Sequence, residues 1–84
     1  MAKYKLSFKK SVAKDLRDIP NKDVERILKR IDALSDDPKP KGAIKLTNQE
    51  RYRIRQGVYR ILYEIRDLEL IVLIVKVAHR KDAY

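Results

Sequence analysis

The stretch that decides the fold is YRIRQGVYRILYEI, residues 52–65. Its first part alternates between charged and largely apolar side chains, with Arg53 and Arg55 on one face, which is the two-residue period of a β-strand. The dipeptide Gln56-Gly57 predicts a tight turn, because glycine adopts a positive φ without steric cost. Residues 58–65 predict the returning strand. A β-hairpin therefore stands at the centre of the predicted fold.

Further strands are predicted before and after this hairpin. Residues 69–78 are apolar on both faces, so we expect a last strand that is central and covered on both sides. Residues 4–8 alternate with the two-residue period and predict a first strand, whose partner the sequence leaves open. Residues 39–50 predict a lysine-rich loop that includes Lys45. The expected sheet has four strands and is mainly antiparallel.

Two helices are predicted between the first strand and the loop. An apolar residue recurs every three or four positions over residues 9–18 and again over residues 22–35, which is typical of helices with one buried stripe. Pro20 ends the first helix, since the residue before a proline is pushed out of helical geometry. Asn21 is the predicted N-cap of the second. The apolar stripes of the two helices need a further surface to bury them, and the sheet provides it. We therefore expect an α+β fold in which a helical hairpin packs on the sheet.

The composition is that of one small domain over residues 1–84, without cysteine. Disulfides and zinc–thiolate sites are thereby excluded, which suits a reducing cytoplasm. No secretory signal is visible, and the longest apolar run, Leu70–Val75, is far shorter than the about 20 residues of a membrane span. We therefore expect a cytoplasmic protein that does not associate with membranes.

The charge balance points to the chemistry of a partner. The chain has 21 Lys and Arg against 12 Asp and Glu, a formal net charge of +9. This excess predicts attraction to a polyanion, either a nucleic acid or an acidic protein. The alternative is a surface that self-repulsion keeps soluble.

Cations recur on the three consecutive strands of the C-terminal half. Arg60 lies in a strand that should be largely buried, where a cation needs a partner or a phosphate. Its alternative is a salt bridge to Glu64 on the same face; for Arg53 and Arg55 the alternative is an edge strand protected against aggregation. Arginine suits phosphate because its planar fork donates two parallel hydrogen bonds. The expected anion-binding set is Arg53, Arg55, Arg60, Lys45, Lys76, Arg80 and Lys81.

The ending HRKDAY, residues 79–84, adds two groups with possible chemical roles. His79 is the only histidine, and imidazole exchanges protons near neutral pH; a structural role is its alternative. Tyr84 lies beyond any predicted strand, so its ring could stack on a base, or the tail could be disordered. Neither a metal-ligand set nor a glycine-rich phosphate loop is present, so no metal and no cofactor are expected. A cationic site can still cleave RNA, because the 2′-hydroxyl of RNA is a nucleophile that the substrate itself supplies.

Three stretches of the chain together resemble the RelE-type toxins of bacterial and archaeal toxin–antitoxin systems. They are FKKSVAKDL, residues 8–16, followed by Pro20; the hairpin of residues 52–65; and the ending VAHRKDAY, residues 77–84. The resemblance covers nearly the whole chain in the right order. It implies a small fold with two N-terminal helices packed against an antiparallel sheet.

The same resemblance implies an activity and two partners. Toxins of this family enter the ribosomal A site and cut the mRNA there, leaving a 2′,3′-cyclic phosphate. An acidic RelB-type antitoxin wraps around them and inhibits them. The net charge of +9 suits both a ribosome made of RNA and an acidic antitoxin.

The resemblance to RelE-type toxins also implies functional roles for individual residues of this chain. Arg60 matches an arginine that holds the scissile phosphate. Arg80 matches one proposed to stabilise the transition state or to protonate the leaving oxygen. Tyr84 matches a tyrosine that stacks on the substrate and orients the attacking hydroxyl. Arg53 and Arg55 match two cationic positions, one of which is often a lysine proposed as the general base.

This chain departs from the family pattern at the general base, because arginine almost never releases its proton. His79 is then the expected proton carrier, although its odd-numbered place in the strand alternation points it away from Arg80.

Two rival functions are considered. A ParE-like toxin shares this fold but poisons DNA gyrase and does not cut RNA. A nucleic-acid-binding module would use the same cations without any chemistry.

Overall fold

The computed structural model describes residues 3–46 and 51–81. Its elements are β1 (Lys5–Phe8), α1 (Lys10–Arg17), α2 (Asn21–Ala33), β2 (Ile44–Lys45), β3 (Arg51–Gln56), β4 (Tyr59–Arg66) and β5 (Ile71–His79). The strands form one mixed sheet in the order β1-β5-β4-β3-β2. β1 runs parallel to β5, and the other neighbours are antiparallel.

The expected α+β class is confirmed, with one strand more than the four predicted. The additional strand is β2, where Ile44 pairs with Arg53 and Lys45 pairs with Tyr52. A loop was expected here because two residues are too few to show a period in the sequence. The end of that expected loop, residues 47–50, lies outside the described residues.

The two helices cover one face of the sheet. α1 packs mainly on β5, and α2 contacts β3. The predicted helical stripes are confirmed, because they meet the alternate apolar residues of the central strands in one core. Burying one large apolar side chain contributes about 1.5–3 kcal/mol to the free energy of unfolding. Members of this core that are at most 1% exposed include Val12, Ile27, Ile31, Ile54, Ile61, Tyr63, Val72 and Ile74.

Tyr63 places a phenol inside this core. Its side chain is fully buried, and its hydroxyl donates a hydrogen bond to the backbone oxygen of Pro38 at 2.7 Å. This bond ties the segment after α2 to the middle of the sheet. Burial also raises the pKa of Tyr63 well above its usual value, because a phenolate would lose its hydration there.

β5 contains a β-bulge at Val75. Ile74 pairs with Tyr63 of β4, while Lys76 pairs with the preceding residue, Leu62, so Val75 has no residue opposite it. Because side chains alternate along a strand, one extra residue exchanges the two faces of β5.

This exchange decides where the end of β5 points. Val72 and Ile74 face the helices before the bulge, whereas Val77 and His79 take that side after it. The N–H of Val77 donates to Oδ2 of Asp15 in α1 at 3.1 Å. A helix side chain therefore holds the strand directly after its irregularity.

Two local predictions were wrong at turns. Asn21 is the first residue of α2, and Pro20 occupies the N-cap without a side-chain cap hydrogen bond. Proline fits this position because its fixed φ suits the extended backbone that precedes a helix. The hairpin turn is Gly57–Val58 rather than Gln56-Gly57, with φ of 61° at Gly57.

The prediction that the last strand is covered on both sides was only partly right. β5 is interior, between β1 and β4. On the face away from the helices, however, Leu73 and Lys76 are half-buried rather than buried. Sequence hydrophobicity therefore overstated how much of this face is covered.

None of the helices in residues 3–46 and 51–81 is long and apolar enough to span a membrane.

Replacing Tyr63 by phenylalanine should lower the free energy of unfolding by about 1 kcal/mol at neutral pH, because the Pro38 oxygen loses its donor. The raised pKa adds a pH dependence of defined sign. Tyr63 keeps its proton longer when folded, so this contribution is complete below about pH 10 and is lost as the pH rises further. The difference between wild type and Tyr63→Phe should therefore shrink above pH 10 in chemical denaturation. Parallel alkaline profiles would contradict this account.

Candidate nucleic-acid interface

The face of the sheet that the helices leave uncovered carries a cluster of arginines. Arg53 and Arg55 lie on this face of β3, and Tyr52 and Ile54 lie on the helix side, as the alternation predicted. The strand register places Arg60 of β4 directly opposite Arg55. Like charges therefore face one another across two neighbouring strands.

Arg55, Arg60 and Arg80 line one depression of 140 Å³, which we call the arginine pocket. The turn Gly57–Val58 also contributes to its wall. The N–H of Arg80 donates to the backbone oxygen of Val58 at 2.7 Å, which continues the pairing of β4 and β5 one residue beyond β5. Three of the cations expected to bind anions, two from neighbouring strands and one from directly after β5, thus line a single pocket.

The electrostatics of Arg53 reflect this crowding. Burial, and then the positive charges of Arg55 and Arg60, lower the pKa of Arg53 below its usual value. The Nε atom of Arg53 is buried and makes no hydrogen bond within the described part of the chain. An anion placed on this face would relieve both penalties, because it supplies negative charge and hydrogen-bond acceptors together.

The carboxylate of Glu64 is engaged by other arginines than Arg60. Its Oε2 accepts a hydrogen bond from Nε of Arg51 at 3.0 Å, and its Oε1 lies 3.6 Å from a guanidinium nitrogen of Arg66. These contacts lie towards the opposite end of β4 from the arginine pocket. These contacts of Glu64 do not favour the alternative of a salt bridge between Glu64 and Arg60.

The alternative that Arg53 and Arg55 protect an edge strand against aggregation applies only in part. β2 pairs with β3 at Tyr52 and Arg53, so Arg53 does not lie on an edge. Arg55 lies beyond the end of β2 and remains exposed. Protection against aggregation could account for Arg55 but not for the cluster.

Leu62 forms an apolar floor beside the cluster. It is only 2% exposed, and its cross-strand neighbours are Arg53 on one side and Lys76 on the other. The aliphatic stems of such residues can cover apolar surface while their charged heads stay in water. Lys76 therefore lies on the arginine face by register, as expected.

His79 lies on the other side of the sheet. It borders a separate pocket of 270 Å³ that Asp15 of α1 and Asp18, the residue after α1, also line. Its ring meets the ring of Tyr59 edge-to-face, with 5.7 Å between centroids, and its Nδ1 accepts a hydrogen bond from the N–H of Lys81 at 3.2 Å. The structure does not bring His79 to the arginine pocket.

The other residues expected at the site are Lys45, Lys81 and Tyr84. Lys45 pairs with Tyr52 and so lies on the opposite side of the sheet from Arg53. Lys81 is exposed in the turn after β5. Tyr84 lies outside the described residues. Within residues 3–46 and 51–81, no group of three or more His, Asp or Glu side chains is arranged to hold a metal ion.

The arginine pocket can bind phosphate oxygens and stabilise negative charge that develops on them. Its lining residues among those described are Arg55, Gly57, Val58, Tyr59, Arg60 and Arg80. None of these side chains normally exchanges a proton near neutral pH. The geometry therefore favours charge stabilisation and orientation over base catalysis.

Comparison with known proteins identifies the family. The family model for the ParE toxin of the type II toxin–antitoxin system parDE matches residues 6–84. The chain belongs to the ParE/RelE family of type II toxins. A Methanocaldococcus jannaschii protein that carries the name RelE1 is 30% identical over 86 residues, covering 98% of this chain and 96% of the relative.

Solved structures share the fold. The chain matches the archaeal RelE–RelB complex from Pyrococcus horikoshii at a TM-score of 0.84 and 30% identity, covering 99% of this chain and 100% of that one. It matches the Mycobacterium tuberculosis RelBE2 complex at a TM-score of 0.82 and 27% identity, covering 93% and 99%. The helical hairpin on a mixed sheet is therefore a RelE fold.

Sequence reasoning missed Asp15 as a residue that positions the site. Its carboxylate accepts a hydrogen bond from the N–H of Val77, which lies two residues after the bulge at Val75 and three residues before Arg80. In the sequence, Asp15 lies three residues after Val12 and directly before Leu16, so it is a carboxylate within the apolar stripe of α1, and this position was the available signal. A bulge leaves no signature in hydrophobic periodicity, so the strand residue that Asp15 binds could not be anticipated.

Neutralising Arg55 should stabilise the fold, because it removes repulsion from Arg53 and Arg60. We expect Arg55→Gln to raise the free energy of unfolding by about 0.5 kcal/mol. Arg51→Gln is the matched control on the same face of β3; it breaks the contact with Glu64 and should lower stability by about 0.5–1 kcal/mol. Urea unfolding at low and high salt measures both, and salt should reduce the gap. Equal destabilisation by the two variants would refute the repulsive cluster.

Proposed function

We propose that this toxin is an endoribonuclease that cuts mRNA in the ribosomal A site and thereby inhibits translation. The observation that carries the proposal is the arginine pocket, which Arg55 of β3, Arg60 of β4 and Arg80, the residue after β5, line together. In the reaction, the 2′-oxygen of the RNA attacks the adjacent phosphorus and the bond from phosphorus to the 5′-oxygen breaks. The 2′-hydroxyl gives its proton to solvent water, the leaving 5′-oxygen takes one from solvent water, and a 2′,3′-cyclic phosphate forms.

Each arginine has a proposed part in this reaction. Arg60 binds the scissile phosphate, with Arg53 and Arg55 holding neighbouring phosphates. Arg80 stabilises the additional negative charge of the pentavalent phosphorane, and Tyr84 stacks on a base and orients the attacking hydroxyl. Further contacts to RNA are assigned to Lys45, Lys76 and Lys81.

The position of His79 argues against a direct proton transfer by this residue. It lies on the helix side of the sheet, and its Nδ1 already accepts the Lys81 N–H. We assign it a structural role against Tyr59. Catalysis then rests on orientation and charge neutralisation, which can together supply a large part of a rate enhancement.

We propose two partners and a location. The related structures from P. horikoshii and M. tuberculosis are complexes of a RelE-type toxin with its RelB-type antitoxin, which supports an acidic RelB-type antitoxin for this chain. The ribosome with mRNA in its A site is the proposed target, since the net charge of +9 favours RNA surfaces. We propose a cytoplasmic location, because both proposed partners are found there.

A second candidate is a ParE-like poison of DNA gyrase. It is favoured by one observation, namely that the matching family model is that of the ParE toxin. The joint presence of Arg60, Arg80 and Tyr84 favours the nuclease instead. Primer extension on cellular mRNA separates the two, because only the nuclease produces sharp breaks within codons.

Alanine at Arg60 or Arg80 should each reduce mRNA cleavage by about 10²–10³-fold, as expected for the loss of one group that stabilises transition-state charge. Primer extension after induction measures the breaks, and circular dichroism checks the fold. Lys14→Ala, an exposed charge change on α1, is the control and should leave cleavage unchanged. Undiminished cleavage and growth arrest by Arg80→Ala would refute the assignment.

His79→Gln should retain cleavage within a few-fold of wild type. The pH profile of single-turnover cleavage should also be the same for His79→Gln and wild type. A step in the wild-type profile that disappears in His79→Gln would show that the imidazole does carry a proton.

A further inference from the structure

A second cationic depression lies on the helix side of β3. It has a volume of 320 Å³ and is formed between α2 and the end of β3. Its α2 residues recur at intervals of three, one and three, so they lie along one stripe of the helix. We call this surface the α2 patch, and its residues are Arg26, Lys29, Arg30, Ala33 and Gln56.

The α2 patch carries positive charge without internal neutralisation. None of the ion pairs that the described part of the chain forms involves Arg26, Lys29 or Arg30. The three acidic residues of α2, Asp23, Glu25 and Asp32, lie outside the lining of the depression. Three cations around one concave surface favour an anionic ligand.

The α2 patch is adjacent to the arginine pocket across a single strand. Arg55 lines the pocket, and the next residue, Gln56, lines the patch. Successive side chains of a strand point to opposite faces, so the two depressions lie back to back at the end of β3. β2 pairs with β3 only at Tyr52 and Arg53, so in the described part of the chain no strand runs beside this end on its outer side.

We propose that the α2 patch binds the sugar–phosphate backbone of structured RNA while the arginine pocket holds the strand to be cleaved. The choice of RNA as the polyanion rests on the proposed function. RNA fits the geometry because its phosphates repeat along the polymer, so one folded molecule supplies anions to both sides of the β3 edge. The patch then serves to position the toxin on its RNA target rather than to act on the bond that breaks.

The test compares two pairs of exposed cations on the helices. Arg26→Ala with Lys29→Ala removes two charges from the patch, and Lys10→Ala with Lys14→Ala removes two from α1. Alanine is the best helix former, so both double variants should fold. Arg30 is left in place because its charge also reaches Tyr63 in the core.

The probes are an RNA hairpin with a single-stranded tail and the same tail alone, each titrated over a series of salt concentrations. For the hairpin, the patch variant should bind more weakly, and its plot of log K against log salt should be shallower by about 2, one for each lost phosphate contact. The α1 variant should match wild type. The tail alone should bind all three proteins alike.

Two outcomes would overturn the proposal. Equal shifts in both double variants would mean that only the net charge matters. An unchanged RNA slope together with weaker binding of an acidic antitoxin peptide would mean that the surface binds a protein. Binding is measured without cleavage, so a wild-type protein that fails to cut mRNA would refute the nuclease and leave this result standing.

Discussion

One extra residue in β5 decides what the uncovered face of the sheet carries. Without the bulge at Val75, strict alternation from Ile74 onwards would turn Arg80 towards the helices and His79 towards Arg60. The bulge reverses this order and sets a permanent cation beside the other arginines. Bulges are frequent next to active sites, where they redirect a side chain.

The bulge is held in place from the other side of the sheet. The carboxylate of Asp15 accepts the N–H of Val77, so α1 fixes the backbone directly after the irregularity. The N–H of Arg80 then bonds to Val58 and closes the ladder against β4. A helix that contributes no cation to the pocket therefore determines its geometry. The core on the helix side can therefore stabilise the sheet while the opposite face carries charged side chains.

That charge works against folding. Arg55 and Arg60 face each other directly across β3 and β4, and their charges lower the pKa of Arg53. Like charges in such cross-strand pairs are destabilising. The core on the other face, with Tyr63 bonded to Pro38, holds the strands in register despite this repulsion. A cluster retained at such a cost is understandable where a polyanion neutralises it.

Most of the fold could be predicted because its signals are local. The stripes of the helices and the alternation around Arg53 and Arg55 are periodic over enough residues to be recognised. β2, with two residues, is too short for that, and the pairing of β1 with β5 joins the two ends of the chain. Lys76, Ala78 and Arg80 share one face of the sheet because all three follow the bulge, so the alternation between them is unbroken.

The chemistry of the pocket narrows the substrate that it can serve. The described lining of the arginine pocket offers permanent cations, which orient a substrate and stabilise developing negative charge. Such a site can assist a substrate that brings its own nucleophile. RNA is such a substrate, because its 2′-hydroxyl lies next to the phosphate. In the proposed reaction the protein orients these two groups and stabilises the developing charge. DNA has no such hydroxyl. The same arginines could bind a DNA backbone, but they would have no reaction of this kind to accelerate.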